Sequence, residues 1–296
     1  MLKGVSFSLF ASLLFGLMYY LAIHLHPLSG EGVFGIRMVV TLPFLFLSLF
    51  LFKQTDAFLA FLARIKQQPS LLLVMLLTSS IVGSQMWLFL WAPNSGKAIE
   101  VSMGYLLMPI VMVAFGRFMY KEPLSRLKKW AIGFALVGVL SNILLTGKLS
   151  WESLFVCTGY PIYFHLRRKF GISHLHSFVL EIVFLIPISL YFMQQVDMAY
   201  IESENSYIYV FIALLGLISG SALISYTMAS TILPFNVLGL LGYVEPCFML
   251  IISFLIGERL AQESYLLMSS LLVAILLLTL DGLSVLRRQR KHFKRG

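Results

Sequence analysis

An all-helical integral membrane protein is the fold class this sequence predicts, with ten transmembrane helices arranged as two inverted sets of five. Three observations predict it. Hydrophobic residues make up 59% of the 296 positions and charged residues only 12%, whereas about a quarter of a soluble domain is charged. Apolar runs long enough to cross a bilayer recur along the whole chain, and a span needs roughly 20 such residues. The runs also fall into two sets with shared landmarks. Arg37 precedes Pro43 by six residues and Glu181 precedes Pro187 by six. Gly104-Tyr105 leads to Pro109 and Glu122-Pro123-Leu124, as Gly242-Tyr243 leads to Pro246 and Glu258-Arg259-Leu260.

The spans are expected near 4–23, 32–52, 70–91, 99–119, 130–146, 150–166, 176–193, 207–231, 235–256 and 264–283. Helices are required because lipid offers backbone amides no partner outside the segment itself. Barrel strands would alternate polar and apolar residues, which LFLSLFLF at 45–52 and LLVAILLLTL at 271–280 do not. Pro161 interrupts the sixth span and Gly and Pro the ninth. Between the second and third spans, 53–69 reads as an amphipathic interfacial helix, with Phe58, Leu59, Phe61 and Leu62 on one side and Arg64 and Lys66 beyond. The connection 194–206 is acidic. The first repeat is expected over 1–147, the second over 148–285 and a basic tail over 286–296. An odd number of spans per repeat forces the second copy to enter the membrane upside down, the construction many secondary transporters use to place two gates around one site.

The formal charge of +9 invites a nucleic-acid partner, but its placement argues against one. With a cytoplasmic N-terminus, ten spans return the C-terminus to that side, and 17 of the 22 Lys and Arg fall there. Only Lys97, Lys148 and Arg259 face out, while Arg37 and Arg117 lie within spans. This is the positive-inside pattern, so the tail RRQRKHFKRG reads as an anchor against anionic lipid. Cys157 and Cys247 lie in different spans and form no CxxC motif, which leaves them as small core residues. The first apolar run ends at His24-Leu-His26-Pro27 instead of a small-residue cleavage site and reads as a retained span. Nucleophile elbows, P-loops, dinucleotide fingerprints and metalloprotease helices are absent, so neither a cofactor nor a metal is expected.

Charges inside spans carry the sharpest functional signal. A charged side chain at mid-membrane costs about 2.5–3.5 kcal/mol on insertion scales, so it faces a polar cavity or a partner. Arg37, Glu100, Glu181 and Glu245 all fall within or at the edge of spans. Arg37 and Glu181 occupy equivalent repeat positions with opposite sign. They read either as a buried ion pair that fixes helix registration or as a site, in which Arg37 grips a carboxylate or phosphate and a Glu meets an ammonium or a proton. Glu100 opens the fourth span, where a helix N-terminus favours a carboxylate. Glu245 stands beside Pro246, whose missing amide breaks the helical ladder, and suits a proton or cation. Ser80, Ser84, Trp87 and Trp91 follow helical spacing, with Asn94 beyond, and suit a pocket for a flat or cationic ligand; plain packing is the other reading. Tyr160 and Tyr163 flank Pro161 in the same sense. The glycine pairs Gly133/Gly138, Gly216/Gly220 and Gly239/Gly242 are expected at close helix contacts.

The run Trp87-Leu-Phe-Leu-Trp91-Ala, then Asn94, Ile99-Glu100-Val-Ser-Met-Gly104-Tyr105, Pro109, Glu122 and the Gly133/Gly138 helix resembles the EamA family of the drug/metabolite transporter superfamily, with its RarD subgroup the nearest match. Arg37, Tyr163 with Leu166-Arg167-Arg168-Lys169, Glu181 before Leu185-Ile-Pro187, and Gly257-Glu258 after Pro246 extend the likeness over nearly the whole chain. In the second repeat the spacing from Pro to Glu is one residue shorter, and Glu245 stands where a small residue is usual, so no family role is carried onto it. The resemblance implies two inverted five-helix repeats, cytoplasmic ends, a bacterial inner membrane and outward movement of small or amino-acid-like metabolites. It also brings the subgroup's link with chloramphenicol sensitivity.

The expectation is therefore a secondary carrier, exporter or exchanger, of a small polar or zwitterionic metabolite by alternating access. Its substrate would meet Arg37, Trp87, Trp91, Glu100, Tyr105, Tyr160 and Glu181, with Glu181 or Glu245 coupling a proton or cation, or a counter-substrate supplying the drive. A non-transporting receptor and an integral-membrane enzyme at the lipid interface are the rivals. The enzyme would need catalytic polar residues clustered at one interface.

Overall fold

A computed structural model of the chain describes residues 2–121, 123–147, 150–233 and 241–293. The elements in order are α1 (Leu2–His24), α2 (Gly30–Leu51), α3 (Thr55–Gln67), α4 (Ser70–Asn94), α5 (Ala98–Tyr120), α6 (Arg126–Thr146), α7 (Trp151–Lys169), α8 (Leu175–Gln194), α9 (Met198–Glu204), α10 (Ile208–Ile232), α11 (Val244–Leu255), a 3₁₀ turn at Gln262–Ser264, and α12 (Tyr265–Phe293). Among the described residues there is no strand. Eight helices are long and apolar enough to cross a membrane, which makes this a multi-pass membrane protein. The sixth and ninth expected spans are the two that fall short. Over its 19 residues α7 carries Glu152, Arg167, Arg168 and Lys169, and α11 has only 12 residues. The first part of the ninth span, 234–240, lies outside the described residues.

Local sequence sets the helix starts. Ser29, Ser125 and Ser150 each precede a helix and accept its third-residue amide, from Gly32, Lys128 and Ser153, at 3.1 Å in all three cases. Asp197 caps α9 in the same manner. Pro43, Pro109, Pro161 and Pro187 sit inside helices that continue through them. Large apolar side chains point outward, Phe118 at 88% and Leu144 at 84% exposure among them, as lipid-facing surface requires.

The loops gather at two ends of opposite charge. At the acidic end, the Asn205 amide donates to the carbonyls of His24 and His26 at 2.9 Å each, Asn94 donates to Ala22 at 2.8 Å, and Ser264 donates to Asn142 at 2.9 Å. At the basic end, Arg64 reaches the carbonyls of Phe170 and Gly171, Arg168 lies over the Tyr120 ring and Lys128 stands 3.9 Å from Asp281. Between the ends the main helix pairs are α1–α10, α6–α12, α2–α8, α5–α7, α2–α10, α5–α11, α4–α7, α1–α11, α2–α4, α4–α8 and α1–α4.

Close helix approach occurs at some of the expected glycines. A Cβ at Gly220 would come within 2.2 Å of Phe44 and one at Gly216 within 3.2 Å of Val40, where α10 crosses α2. At Gly138 it would meet Ser270 at 2.8 Å, whereas Gly133 faces open space. Gly133 falls off the contact face that Gly138 occupies, since i and i+4 share a face and i and i+5 do not. Gly239 lies outside the described residues. α3 sits at the basic end and packs Phe58, Phe61 and Leu62 against Leu71, Met75, Ile172 and Leu180. Leu59 leaves that face and is 62% exposed, because one residue's rotation of about 100° turns it away.

Candidate functional site

Arg37 is buried at 3% exposure midway along α2. Its Nε donates to Ser219 Oγ on α10 at 3.3 Å, and Thr41 Oγ1, one turn on, donates to the same hydroxyl at 3.0 Å. The guanidinium lies 5.8 Å from the centroid of Phe89 on α4. Nη1 has no hydrogen-bond partner among the described residues. A buried donor left unpaired costs about 1–3 kcal/mol, and more when charged.

What surrounds it is aromatic and acidic. Tyr105 on α5 and Tyr160 on α7 share a hydrogen bond at 3.0 Å, and both are near enough to Arg37 to feel its charge. Glu245, in the first turn of α11, acts electrostatically on Arg37 and on the hydroxyls of Tyr105, Tyr160 and Tyr226. Among the described residues no ion pair joins Glu245 to Arg37. Glu245 and Tyr160 are half-buried, and Tyr226 is 45% exposed. The group gathers side chains from α2, α4, α5, α7, α10 and α11 around Arg37.

Trp87, also half-buried, packs where two core clusters meet, and its indole N–H is unpaired. From it an aromatic ladder runs toward the acidic end, with Trp87 and Trp91 5.4 Å apart and Trp91 and Trp151 6.1 Å apart. The two serines of the same stripe play no part. Ser80 donates to Leu76 and Ser84 to Ser80 within their own helix, the usual fate of a hydroxyl with no water near it. Asn94 closes a loop contact instead.

The structure does not bring Arg37 and Glu181 together. Glu181 is wholly buried on α8, where its Oε2 accepts from the Tyr163 hydroxyl at 2.7 Å and from Arg167 Nη1 at 3.3 Å. Arg167 is fixed in turn by Tyr163, by the Ile172 and His174 carbonyls at 3.0 and 2.9 Å, and by Ser177. Ser79 on α4 donates to the Glu181 carbonyl at 2.6 Å. This is a clamp joining α7 to α8 through Oε2, while Oε1 has no hydrogen-bond partner among the described residues; the partner comes from an arginine run that sequence reasoning assigned to the basic surface. Arg167 lies one helical turn after Tyr163, and that i, i+4 spacing was the available signal. Ser219 and Tyr226 were missed as well; both are ordinary residues in an apolar span, and nothing in one sequence marks them.

Glu100 lies away from Arg37, at the acidic end. It is part-exposed there, 3.1 Å from Lys97, which stands 3.9 Å from Glu152; the hydrogen bond with Glu100 pushes the Lys97 ammonium pKa up. Glu100, Glu258, Arg259, Asn142 and Ser264 line a cavity of about 280 Å³ there. Cys157 and Cys247 are free thiols.

Comparison with known proteins agrees with this architecture. Residues 2–144 match the profile of the EamA-like transporter family. Over 282 residues, 95% of each chain, the protein is 51% identical to an uncharacterized transporter of Haemophilus influenzae. It is 50% identical over 291 residues, 98% of this chain, to the whole of an uncharacterized transporter of Pasteurella multocida. Over 98% of each chain it is 36% identical to the chloramphenicol-sensitive protein RarD of Pseudomonas aeruginosa. The protein belongs to the EamA-like transporter family and is a RarD-like membrane transporter within it.

Proposed function

We propose that the protein is a secondary carrier for a small polar or zwitterionic metabolite, working by alternating access in a bacterial inner membrane with its basic end in the cytoplasm. The repeats are 1–147 and 148–285, and the tail 286–296 holds the basic end against anionic lipid. Several helix pairs are consistent with a two-fold relation. Exchanging α1, α2, α4, α5 and α6 with α7, α8, α10, α11 and α12 turns α1–α10 into α4–α7, α5–α7 into α1–α11, and α2–α10 into α4–α8, and leaves α2–α8, α5–α11 and α6–α12 unchanged, whereas α2–α4 and α1–α4 have no such counterpart among the main pairs.

The observation that carries the reading is the half-satisfied Arg37 guanidinium, with Glu245 near enough to act on it electrostatically but in no ion pair with it among the described residues. Two opposite charges buried apart forgo most of the attraction that would offset their desolvation. A ligand with an anionic group for Arg37 and an ammonium for Glu245 restores it, between the rings of Phe89, Tyr105, Tyr160 and Trp87. With the substrate absent, Glu245 is the group free to take a proton. Trp91 backs Trp87. Glu100 and Glu181 act outside this site, Glu181 holding α7 on α8.

Thermal-shift screening of the purified protein against amino acids, nucleosides, related metabolites and chloramphenicol tests the site; the P. aeruginosa relative's name places chloramphenicol in the panel. A compound that stabilises the wild type is expected to lose its effect by about tenfold or more in apparent affinity in Arg37→Met, which removes a charge-assisted bidentate contact. Equal stabilisation of both proteins would remove Arg37 from the site.

A further inference from the structure

The acidic end is closed by one residue with no counterpart within its own helix. α5 begins without a cap of its own: Lys97 precedes it and supplies no side-chain acceptor. The first amides of a helix have no intrahelical partner, and here those of Ala98 and Ile99 donate to the two carboxylate oxygens of Glu258, at 2.8 and 2.7 Å. The cap therefore comes from the other repeat, about 160 residues away in sequence. A carboxylate on a helix N-terminus gains from both hydrogen bonds and the helix dipole. Burial pushes the Glu258 carboxyl pKa up while the two amides pull it back.

The backbone aims that side chain. At the end of α11, the Gly257 amide donates to the Phe254 carbonyl and the Glu258 amide to the Ser253 carbonyl, both at 3.1 Å. That is the Schellman pattern, with Gly257 left-handed at φ 93°. Around the contact, the Tyr19 hydroxyl on α1 donates to the Ala98 carbonyl at 3.0 Å, and the hydroxyls of Ser102 on α5 and Ser253 on α11 lie 3.2 Å apart. Ala98, Val101 and Ser102 have no exposed surface. Beside Glu258 lies the 280 Å³ cavity, into which the carboxylate can withdraw.

We propose that Glu258 is the latch of the acidic-end gate, holding α5 and α11 together at that end while docked on Ala98 and Ile99 and letting them part when it leaves. The inference rests on the alternating-access reading. It concerns how one end opens, and not what the Arg37 site binds, so its test needs no substrate.

Ser102 supplies the readout. In a protein with Cys157→Ser and Cys247→Ser, Ser102→Cys places a thiol behind the latch, and its reaction with neutral N-ethylmaleimide is timed in lipid nanodiscs. Adding Glu258→Gln removes the charge and sets an amide N–H against a backbone N–H. The rate at Cys in place of Ser102 is then expected to rise about tenfold or more, while a thiol from Ser203→Cys on exposed α9 keeps its rate. A change within twofold at position 102 would overturn the proposal. If Glu258→Gln does not purify as a single species, Glu258→Asp, one methylene too short for both amides, is read in the same way. Should neither fold, hydrogen exchange at Ala98 and Ile99 in the unmodified protein decides: protected amides support the latch and exchange at free-peptide rates overturns it. Failure here with substrate uptake intact would leave the carrier standing with a different gate.

Discussion

Arg37 and Arg167 are both buried arginines on membrane helices, and their surroundings separate a site from a strut. Arg167 meets five acceptors, one of them a carboxylate; Arg37 meets one serine. Removing one partner of a buried pair strands the other, so Arg167→Met is expected to lower unfolding stability by about 3–5 kcal/mol, measurable by thermal or denaturant unfolding in detergent. Arg37→Met exchanges an unpaired charge for an apolar chain and should cost far less, or stabilise, in the same assay. Backbone strain gives a second test. Lys121 ends α5 in the left-handed region at φ 56° and is exposed; Lys121→Gly is expected to stabilise by about 1 kcal/mol. Gly257→Ala meets no neighbouring atom, yet its φ of 93° should cost it about 1 kcal/mol and raise thiol reactivity at position 102 by mis-aiming Glu258.

At the scale of the helix, most of the architecture was legible because the bilayer leaves one solution to an apolar run. The limits of α1, α2, α4, α5, α6 and α8 follow the apolar runs closely, with serines marking three starts. What the sequence hid was which face meets which neighbour. The Ser80–Ser84–Trp87–Trp91 stripe joins two residues that bond their own helix to two that pack in aromatic contact, and periodicity cannot tell these apart. Gly133 and Gly220 look alike in sequence and differ in space. Gly220→Ala should lower the midpoint of thermal unfolding by several degrees through overlap with Phe44. Gly133→Ala, with nothing near it, should raise it slightly through helix propensity, worth about 1 kcal/mol.

For the whole molecule, the landmark pairs led to the expectation of a repeat, and charge to that of two unlike ends. Neither could reveal that Glu181 pairs with Arg167 or that Glu245 lies near enough to Arg37 to act on it electrostatically. Those facts depend on helix rotation, which one chain read linearly does not encode. The short spacing between Pro246 and Glu258 goes with a helix α11 that ends in a Schellman turn, from which Glu258 reaches α5. The central claim is that a ligand crosses the membrane through the site at Arg37. Uptake of a radiolabelled compound, chosen because it stabilises the purified protein, into sealed proteoliposomes tests this most directly. The account predicts saturable uptake with wild-type protein and none above empty vesicles with Arg37→Met; uptake by both proteins at equal rates, or by neither, would contradict it.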